Sequence, residues 1–259
     1  MHTNATNPTS FAVFGGNRGY CFSCGWSGDL IQYKMDKDGL EFNPAVRALC
    51  DDFGIDIDKD ETYVKQQSIA DRNEQYVRSW EKKVDVCYDY LTKKRGLTDE
   101  TIKHYRIGWS EKGSCITIPM TNQYNQTVGF LYRFFDKQPK YKNSKANELF
   151  HKGSFLFNIN NVPKLLRKTK RLWVCEGGFD SMSAYQQGEA SVSYCGITFS
   201  KDHVMLIKDL TKRIDGCQII LVPDADGKAC KFVSRGRELF EQNFPDANVK
   251  VAVIGGDEH

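Results

Sequence analysis

Leu172-Trp173-Val174-Cys175-Glu176-Gly177-Gly178-Phe179-Asp180 and Ile219-Ile220-Leu221-Val222-Pro223-Asp224-Ala225-Asp226-Gly227 share one pattern: a short apolar run that ends in carboxylates beside glycine. Runs of four apolar residues bounded by turn residues suit strands buried on both faces. Outward from them the pattern alternates. Ser181 to Gln187 reads as a helix, Ala190 to Tyr194 as a strand, and Ser200 as the cap of a helix whose stripe is Val204, Ile207, Leu210 and Ile214. Ala229, Phe232, Val233, Gly236 and Phe240 mark a further helix, and Val249 to Ile254 a fourth strand. Strands separated by helices predict an α/β fold with a parallel sheet and right-handed crossovers.

In an open parallel sheet, ligands bind beyond the carboxyl ends of the strands, where loops and helix N-termini leave a crevice. Glu176 follows the first strand, Asp224 and Asp226 the third, and Asp257 the fourth, so parallel order brings them to one edge. Carboxylates converging without thiol or imidazole partners suit Mg²⁺ or Mn²⁺ and are poor for zinc. The glycines beside Glu176 leave room for a phosphate. Acids also cap helices that follow strands, and each of these could do only that. Four acids at three strand ends favour a site, whereas Asp180 could simply cap a helix starting at Ser181.

Upstream, the chain divides into three parts. Residues 1–57 hold two glycine-rich turns, Cys21-Phe22-Ser23-Cys24-Gly25, and a helical pattern at Phe42, Val46, Leu49, Cys50 and Phe53, so they predict a small ribbon and a helix. Residues 58–73 are polar without a sustained apolar stripe and read as a linker. Residues 74–170 start as helix, broken at Arg95-Gly96, with Thr98-Asp99-Glu100 as a new helix start. From Ser114 the period changes to two, which predicts an antiparallel hairpin with its turn at Thr121 to Gln126. Residues 171–259 form the parallel-sheet part.

The 259 residues are 40% hydrophobic and 27% charged, which excludes a wholly disordered polymer. No window approaches the roughly 18 apolar residues of a membrane span, and the first twenty residues lack a secretory pattern. Seven of nine cysteines are scattered singly, which suits reduced thiols. The expectation is therefore a soluble, unsecreted protein without a membrane partner. The net charge of +3 hides an asymmetry: residues 36–61 carry nine acids against three bases, and residues 133–170 carry ten bases against two acids. A solvated face is one reading of the basic block. Its interleaved Phe134, Phe135, Tyr141, Phe150, Phe155 and Phe157 favour nucleic acid, since bases could stack where phosphates are held.

Glu176-Gly177 after a strand, with Asp224-x-Asp226 after a later one, resembles the Toprim fold of bacterial-type primases, topoisomerases and some nucleases. Pro139-Lys140-Tyr141-Lys142-Asn143-Ser144 with Phe150-His151-Lys152-Gly153, and Tyr90-Leu91 through Arg95-Gly96-Leu97 to Ile107-Gly108-Trp109, resemble segments of the DnaG-type primase family. Phe22-Ser23-Cys24-Gly25, with Gly28-Asp29 and Phe42-x-x-Ala45-Val46, is similar to that family's zinc ribbon. The resemblance covers nearly the whole chain, in the family's order. It implies a Toprim-like parallel sheet preceded by a helical and hairpin subdomain and a zinc ribbon.

A structural zinc site needs four tetrahedral ligands, and the family supplies them as Cys-x-x-His followed by Cys-x-x-Cys. Cys21 and Cys24 match the second pair. His2, 19 positions before Cys21, matches the histidine of the first, and its cysteine partner would fall upstream of Met1. The sequence therefore reads as shortened at its start, or as a ribbon holding zinc with three ligands. It also reads as shortened within the last acidic cluster, Asp257-Glu258-His259.

The resemblance implies synthesis of short RNA primers on single-stranded DNA from ribonucleoside triphosphates, with two Mg²⁺ or Mn²⁺ ions. It implies metal binding by Asp180, Asp224, Asp226 and Asp257, with Glu176 as a metal ligand or proton carrier. Arg133, Lys140, Lys142, Asn143 and Lys152 would contact template or nucleotide. A replicative helicase would be the partner, or a fused domain as in phage primase-helicases, in a bacterial or phage-infected cytosol. A Toprim nuclease using the same metals for cleavage is the main alternative, and a non-catalytic zinc-ribbon DNA-binding module is another.

Overall fold

The computed structural model describes residues 10–14, 17–196, 198–223 and 229–252. Two compact units result: Met1–Gln67 with Tyr124–Gln126, and Ser68–Gln123 with Thr127–His259.

In the first unit, strands β1 (Phe11–Phe14), β2 (Arg18–Cys21) and β3 (Ser27–Asp29) form an antiparallel meander. The rings of Phe11 and Trp26 pack 5.8 Å apart over Gly19, where any side chain would collide with them. Helix α1 (Leu30–Asp38) follows, with the Asp29 side chain accepting from the Gln32 backbone N–H at 2.8 Å, and ends at the left-handed Gly39. Helix α2 (Phe42–Asp52) buries Ala45 and Val46 and is the helix the sequence predicts. Helix α1 was not anticipated. None of its residues is buried, so it has no apolar stripe to read.

The stretch 58–73 is not irregular. Helix α3 (Glu61–Trp80) runs through it, burying Ala70, Asn73 and Val77. That stripe is three residues wide and one of them is polar. Asn73 is buried because its Nδ2 donates to the Thr127 carbonyl at 2.9 Å, so a search for apolar periodicity passes over the helix.

In the second unit a 3₁₀ segment (Glu81–Cys87) and a π segment (Tyr90–Lys94) lead to α4 (Asp99–His104), capped by Thr98 as its sequence suggests. Strands β4 (Gly108–Ser110), β5 (Cys115–Thr121), β6 (Thr127–Phe134) and β7 (Tyr141–Asn143) form an antiparallel sheet in that order. β5 and β6 are the predicted hairpin. Both are buried on both faces, Thr117 included, and do not alternate between core and solvent.

Then the alternation sets in: α5 (Val162–Thr169), β8 (Arg171–Cys175), α6 (Gly178–Gln186), β9 (Ala190–Ser193), α7 (Lys201–Thr211), β10 (Gln218–Val222), α8 (Ala229–Asn243) and β11 (Asn248–Val251). The four strands are parallel in the order β11-β10-β8-β9, which is the predicted α/β class. Ser200 caps α7 in a reciprocal box with His203.

Among the described residues the second unit has two apolar cores. One joins Leu172, Val174, Val192, Ile219 and Leu221 of the parallel sheet to Val204, Ile207 and Phe240 of its helices. The other joins Ile116, Ile118 and Leu131 of the antiparallel sheet to Leu91, Ile102, Phe150, Phe155 and Phe157. Phe179 and Met182 of α6 belong to the second core, so this helix of the parallel layer is anchored in the antiparallel one. Phe150, Phe155 and Phe157 are thus core residues and not stacking platforms for bases. Among the described residues, no helix is long and apolar enough to cross a membrane.

Candidate active site

β8 and β10 are in register to their ends, Cys175 opposite Val222, so the chain leaves both strands at one sheet edge. Glu176 follows β8 directly. Gly177 is the N-cap of α6, and Asp180 lies in its first turn, where the helix dipole favours a carboxylate. The helix starts three residues earlier than the sequence suggests, and Asp180 does not cap it.

The two glycines solve different problems. A Cβ on Gly177 would strike Asp180 Oδ2, so the first glycine lets that carboxylate fold back over the turn. A Cβ on Gly178 would lie 2.9 Å from Leu131 Cδ2 and 3.3 Å from Cys195 Sγ, so the second lets α6 close on β6.

These residues open onto a cavity of about 710 Å³ whose wall includes Glu176, Gly177, Asp180, Arg95, Tyr141, Lys142 and Asn143. Asn143 is fixed by its Nδ2, which donates to the Cys195 carbonyl at 2.6 Å, while its buried Oδ1 has no hydrogen bond among the described residues. Arg95 donates from Nε to the Tyr90 hydroxyl at 2.9 Å and from Nη2 to the Tyr141 hydroxyl, and its guanidinium lies 4.7 Å over the Phe179 ring. Arg133 donates to the same Tyr90 hydroxyl at 3.2 Å and lies 5.2 Å over Tyr141 and 5.3 Å over Phe135. Burial opposes ionisation of Tyr90, but the hydrogen bonds from Arg95 and Arg133 outweigh it and hold the phenol below its ordinary value. Burial dominates at Tyr141 and pushes its phenol up.

Arg133 is 9% exposed and its buried Nη1 has no hydrogen-bond partner among the described residues, so it belongs to no solvated face. Lys140 and Lys142 are exposed. Of Lys152 only the backbone is described; it opens a 3₁₀ turn (Lys152–Ser154) whose Gly153 carbonyl accepts from Ser200 Oγ at 2.5 Å.

Glu176, Asp180, Lys142 and Asn143 are therefore brought to one cavity. Asp224, Asp226, Asp257 and His2 lie outside the described residues. Glu176 and Asp180 are hard oxygen donors on an open wall and fit a divalent cation of the Mg²⁺ class. Cys21 ends β2 and Cys24 lies in the turn after it, with Cys21 N–H donating to Trp26 O and Gly25 N–H to Cys21 O, both at 2.8 Å. Gly25 takes φ 72° there, so the two thiols flank a tight knuckle that fits half of a tetrahedral zinc site. Among the described residues no three His, Cys, Asp or Glu side chains come together to complete either site.

Arg95 is the main cavity residue absent from the predicted set. Its motif, Arg95-Gly96-Leu97, is visible in the sequence, but it lies far upstream of the basic block in which charge is concentrated. Tyr90 and Tyr141, visible in the sequence as part of the Tyr90-Leu91 segment and among the aromatics of the basic block, act here by accepting hydrogen bonds from guanidinium groups.

Three families match in succession: the CHC2 zinc finger over residues 1–65, the N-terminal domain of the DNA primase catalytic core over 114–163, and the Toprim-like family over 173–257. The DNA primase of Rickettsia prowazekii is 28% identical over 257 aligned positions, covering 82% of this chain and 42% of the relative. That of Thermotoga maritima is 27% identical over 257 positions, covering 82% of this chain and 45% of the relative. The chain thus spans less than half the length of these relatives. The fold is similar to the zinc-binding and RNA polymerase domains of the Aquifex aeolicus primase, with a TM-score of 0.65 and 19% identity over 99% of this chain and 72% of that one. It is also similar to a DnaG primase catalytic domain bound to single-stranded DNA, with a TM-score of 0.62 and 18% identity over 76% of each chain.

Proposed function

The chain belongs to the DnaG-type DNA primase family, with a CHC2 zinc finger, a DnaG catalytic core and a Toprim region, and from that membership we propose that it synthesises short RNA primers on single-stranded DNA. The observation that carries the proposal is the cavity in which Glu176 and Asp180 share a wall with Arg95 and Lys142. Nucleotidyl transfer needs a 3′ oxygen relieved of its proton, a triphosphate held in line, and its growing charge neutralised. Divalent ions held by Asp180, Asp224, Asp226 and Asp257, when bound, supply most of that neutralisation.

The chain's own groups do the rest. Glu176 is a metal ligand or takes the proton of the attacking hydroxyl. Arg95 places a fixed positive charge against the triphosphate; Tyr90, Tyr141 and Phe179 hold its fork so that little reorganisation accompanies the reaction. Arg133, buried behind it, keeps that wall positive, and Asn143 ties this wall to the Cys195 carbonyl. Lys140, Lys142 and Lys152 receive template phosphates, as single-stranded DNA bound to a protein of similar fold supports. Residues 1–57 serve as a zinc ribbon that contacts template, with zinc on Cys21, Cys24 and His2, while residues 74–170 and 171–259 make the polymerase. A replicative helicase, separate or fused, is the expected partner in a bacterial or phage-infected cytosol.

The test incubates the protein with single-stranded DNA, labelled ribonucleoside triphosphates and Mg²⁺. Short RNA products that vanish in Asp224→Asn and Asp226→Asn support the proposal. Shortened DNA in place of RNA would assign a nuclease.

A further inference from the structure

α6 begins at the carboxylate wall and ends at Gln186. The Gln186 side chain makes two hydrogen bonds, both to one stretch of backbone: Oε1 accepts from the Thr98 N–H at 2.8 Å, and Nε2 donates to the Gly96 carbonyl at 3.0 Å. Gly96 and Thr98 belong to the reversal that follows Arg95. Here the chain leaves the π segment, passes through the left-handed Gly96 at φ 64°, and enters α4 at Thr98. At such a reversal the N-cap N–H and the carbonyl of the turn residue find no partner within a helix. The Gln186 amide satisfies both at once.

The side chain of Arg95 is held from the other end of the same helix, with its guanidinium over Phe179 in the first turn of α6. α6 therefore grips the Arg95 segment twice, by ring at its N-terminus and by amide at its C-terminus, and carries Asp180 itself. We propose that Gln186 is a positioning residue: by clasping Gly96 and Thr98 it sets the reach of Arg95 relative to Glu176 and Asp180. The assignment rests on the reading of the cavity as a nucleotidyl-transfer site. A glutamine is the side chain this task needs, since donor and acceptor must be presented together on one short planar group.

The experiment is a double-mutant cycle in the full chain between Gln186→Met, which keeps length and removes both hydrogen bonds, and Arg95→Ala. Primer synthesis gives kcat and KM for ATP, equilibrium binding of ATP with Mg²⁺ gives affinity without turnover, and thermal unfolding gives stability. Gln186→Met is expected to raise KM and weaken ATP binding by about tenfold with Arg95 present, and by less than about twofold in the Arg95→Ala background. Gln186→Glu keeps the acceptor, loses the donor and sets a carboxylate against the Gly96 carbonyl, so it should show the same Arg95-dependent loss. Equal losses with and without Arg95, or a lower thermal midpoint with unchanged KM and ATP binding, would overturn the assignment. Absence of primers from the unmutated chain would instead overturn the functional reading, and the ATP-binding cycle would still judge Gln186.

Discussion

Replacing Gly177 with alanine should separate activity from stability. The residue lies at φ −92° and ψ 145°, extended backbone that alanine adopts freely, so the added Cβ is the whole perturbation. Among the described residues that Cβ has only Asp180 within 4 Å, beyond its chain neighbours and the helix backbone: Cγ at 3.4 Å and Oδ2 nearer than any real Cβ tolerates. Asp180 is exposed, so its carboxylate can swing away at the cost of a poorer rotamer, about 0.5–1.5 kcal/mol. Loss of glycine freedom from the unfolded chain returns about 0.4–1 kcal/mol. The net is within about 1 kcal/mol, a thermal midpoint shift of about 2–4 °C in a chain of this size. The carboxylate, however, must recede by about 1 Å to reach ordinary van der Waals distance, and a misplacement of that size in a reacting assembly costs about 10²-fold in rate. Primer synthesis with Mg²⁺ and thermal unfolding, run on the same preparation, read the two quantities.

Gly178→Ala is the internal contrast. Its Cβ meets Leu131 Cδ2 at 2.9 Å inside the core, so overpacking of about 1–3 kcal/mol should lower stability first. If Gly177→Ala retained activity within about threefold, or lost it together with a midpoint fall beyond about 8 °C, the geometric account of Glu176-Gly177-Gly178 would be wrong.

Three further outcomes are expected. Lys140→Ala with Lys142→Ala should flatten the dependence of single-stranded DNA affinity on salt, by about 0.7 in log K against log salt for each phosphate that is no longer neutralised; an unchanged slope in a salt titration would make this segment a solvated face. Asn158→Ala should destabilise the second unit by about 3 kcal/mol, a midpoint fall of about 6–12 °C, because the buried, left-handed Asn158 accepts from the Tyr105 hydroxyl at 2.9 Å and donates to the Ser191 carbonyl at 2.8 Å; a fall under about 2 °C would contradict this. Burial would raise Glu74, but hydrogen bonds from Arg106 and Arg78 outweigh it and hold the carboxyl below its usual range; the stability this gives is complete above the ordinary glutamate value and fades as pH falls through the lowered one, so Glu74→Gln should flatten the acid limb of a stability profile.

What the sequence made legible follows from how strongly each element depends on apolar burial. β8 and β10 lie inside a sheet covered on both faces, so nearly every side chain must be apolar and the run announces the strand. Glu176 and the turn into α6 were readable because carboxylates and paired glycines are conspicuous at the end of such a run. α1 and the 61–73 part of α3 were not legible for the opposite reason: α1 buries nothing, and α3 is held there partly by Asn73 through a backbone hydrogen bond. Charge counting has the same limit. It marked residues 133–170 as one basic surface, yet Arg133 is buried among Tyr90, Phe135 and Tyr141, and Phe150, Phe155 and Phe157 fill a core. Net charge cannot separate an arginine stacked on rings from an exposed lysine, because that distinction is made by long-range pairing of strands.

That pairing also explains why α6 can display a charged residue so near an apolar interior. On one face Phe179 and Met182 are buried in the antiparallel core. On another, Ser181 is fully buried against β9, where Ser191 Oγ donates to the Ser181 carbonyl at 2.6 Å. Serine is small enough to bring helix and strand together and supplies the donor that a close-packed carbonyl needs. Phe179, Ser181 and Met182 leave only one direction for the residue between the first two, and Asp180 takes it toward the cavity. A carboxylate whose direction is set by the packing of its neighbours is held ready for an incoming ligand. The same logic extends to Gln186, since a helix locked on two faces is the rigid lever through which an amide at one end can set an arginine against an acid at the other.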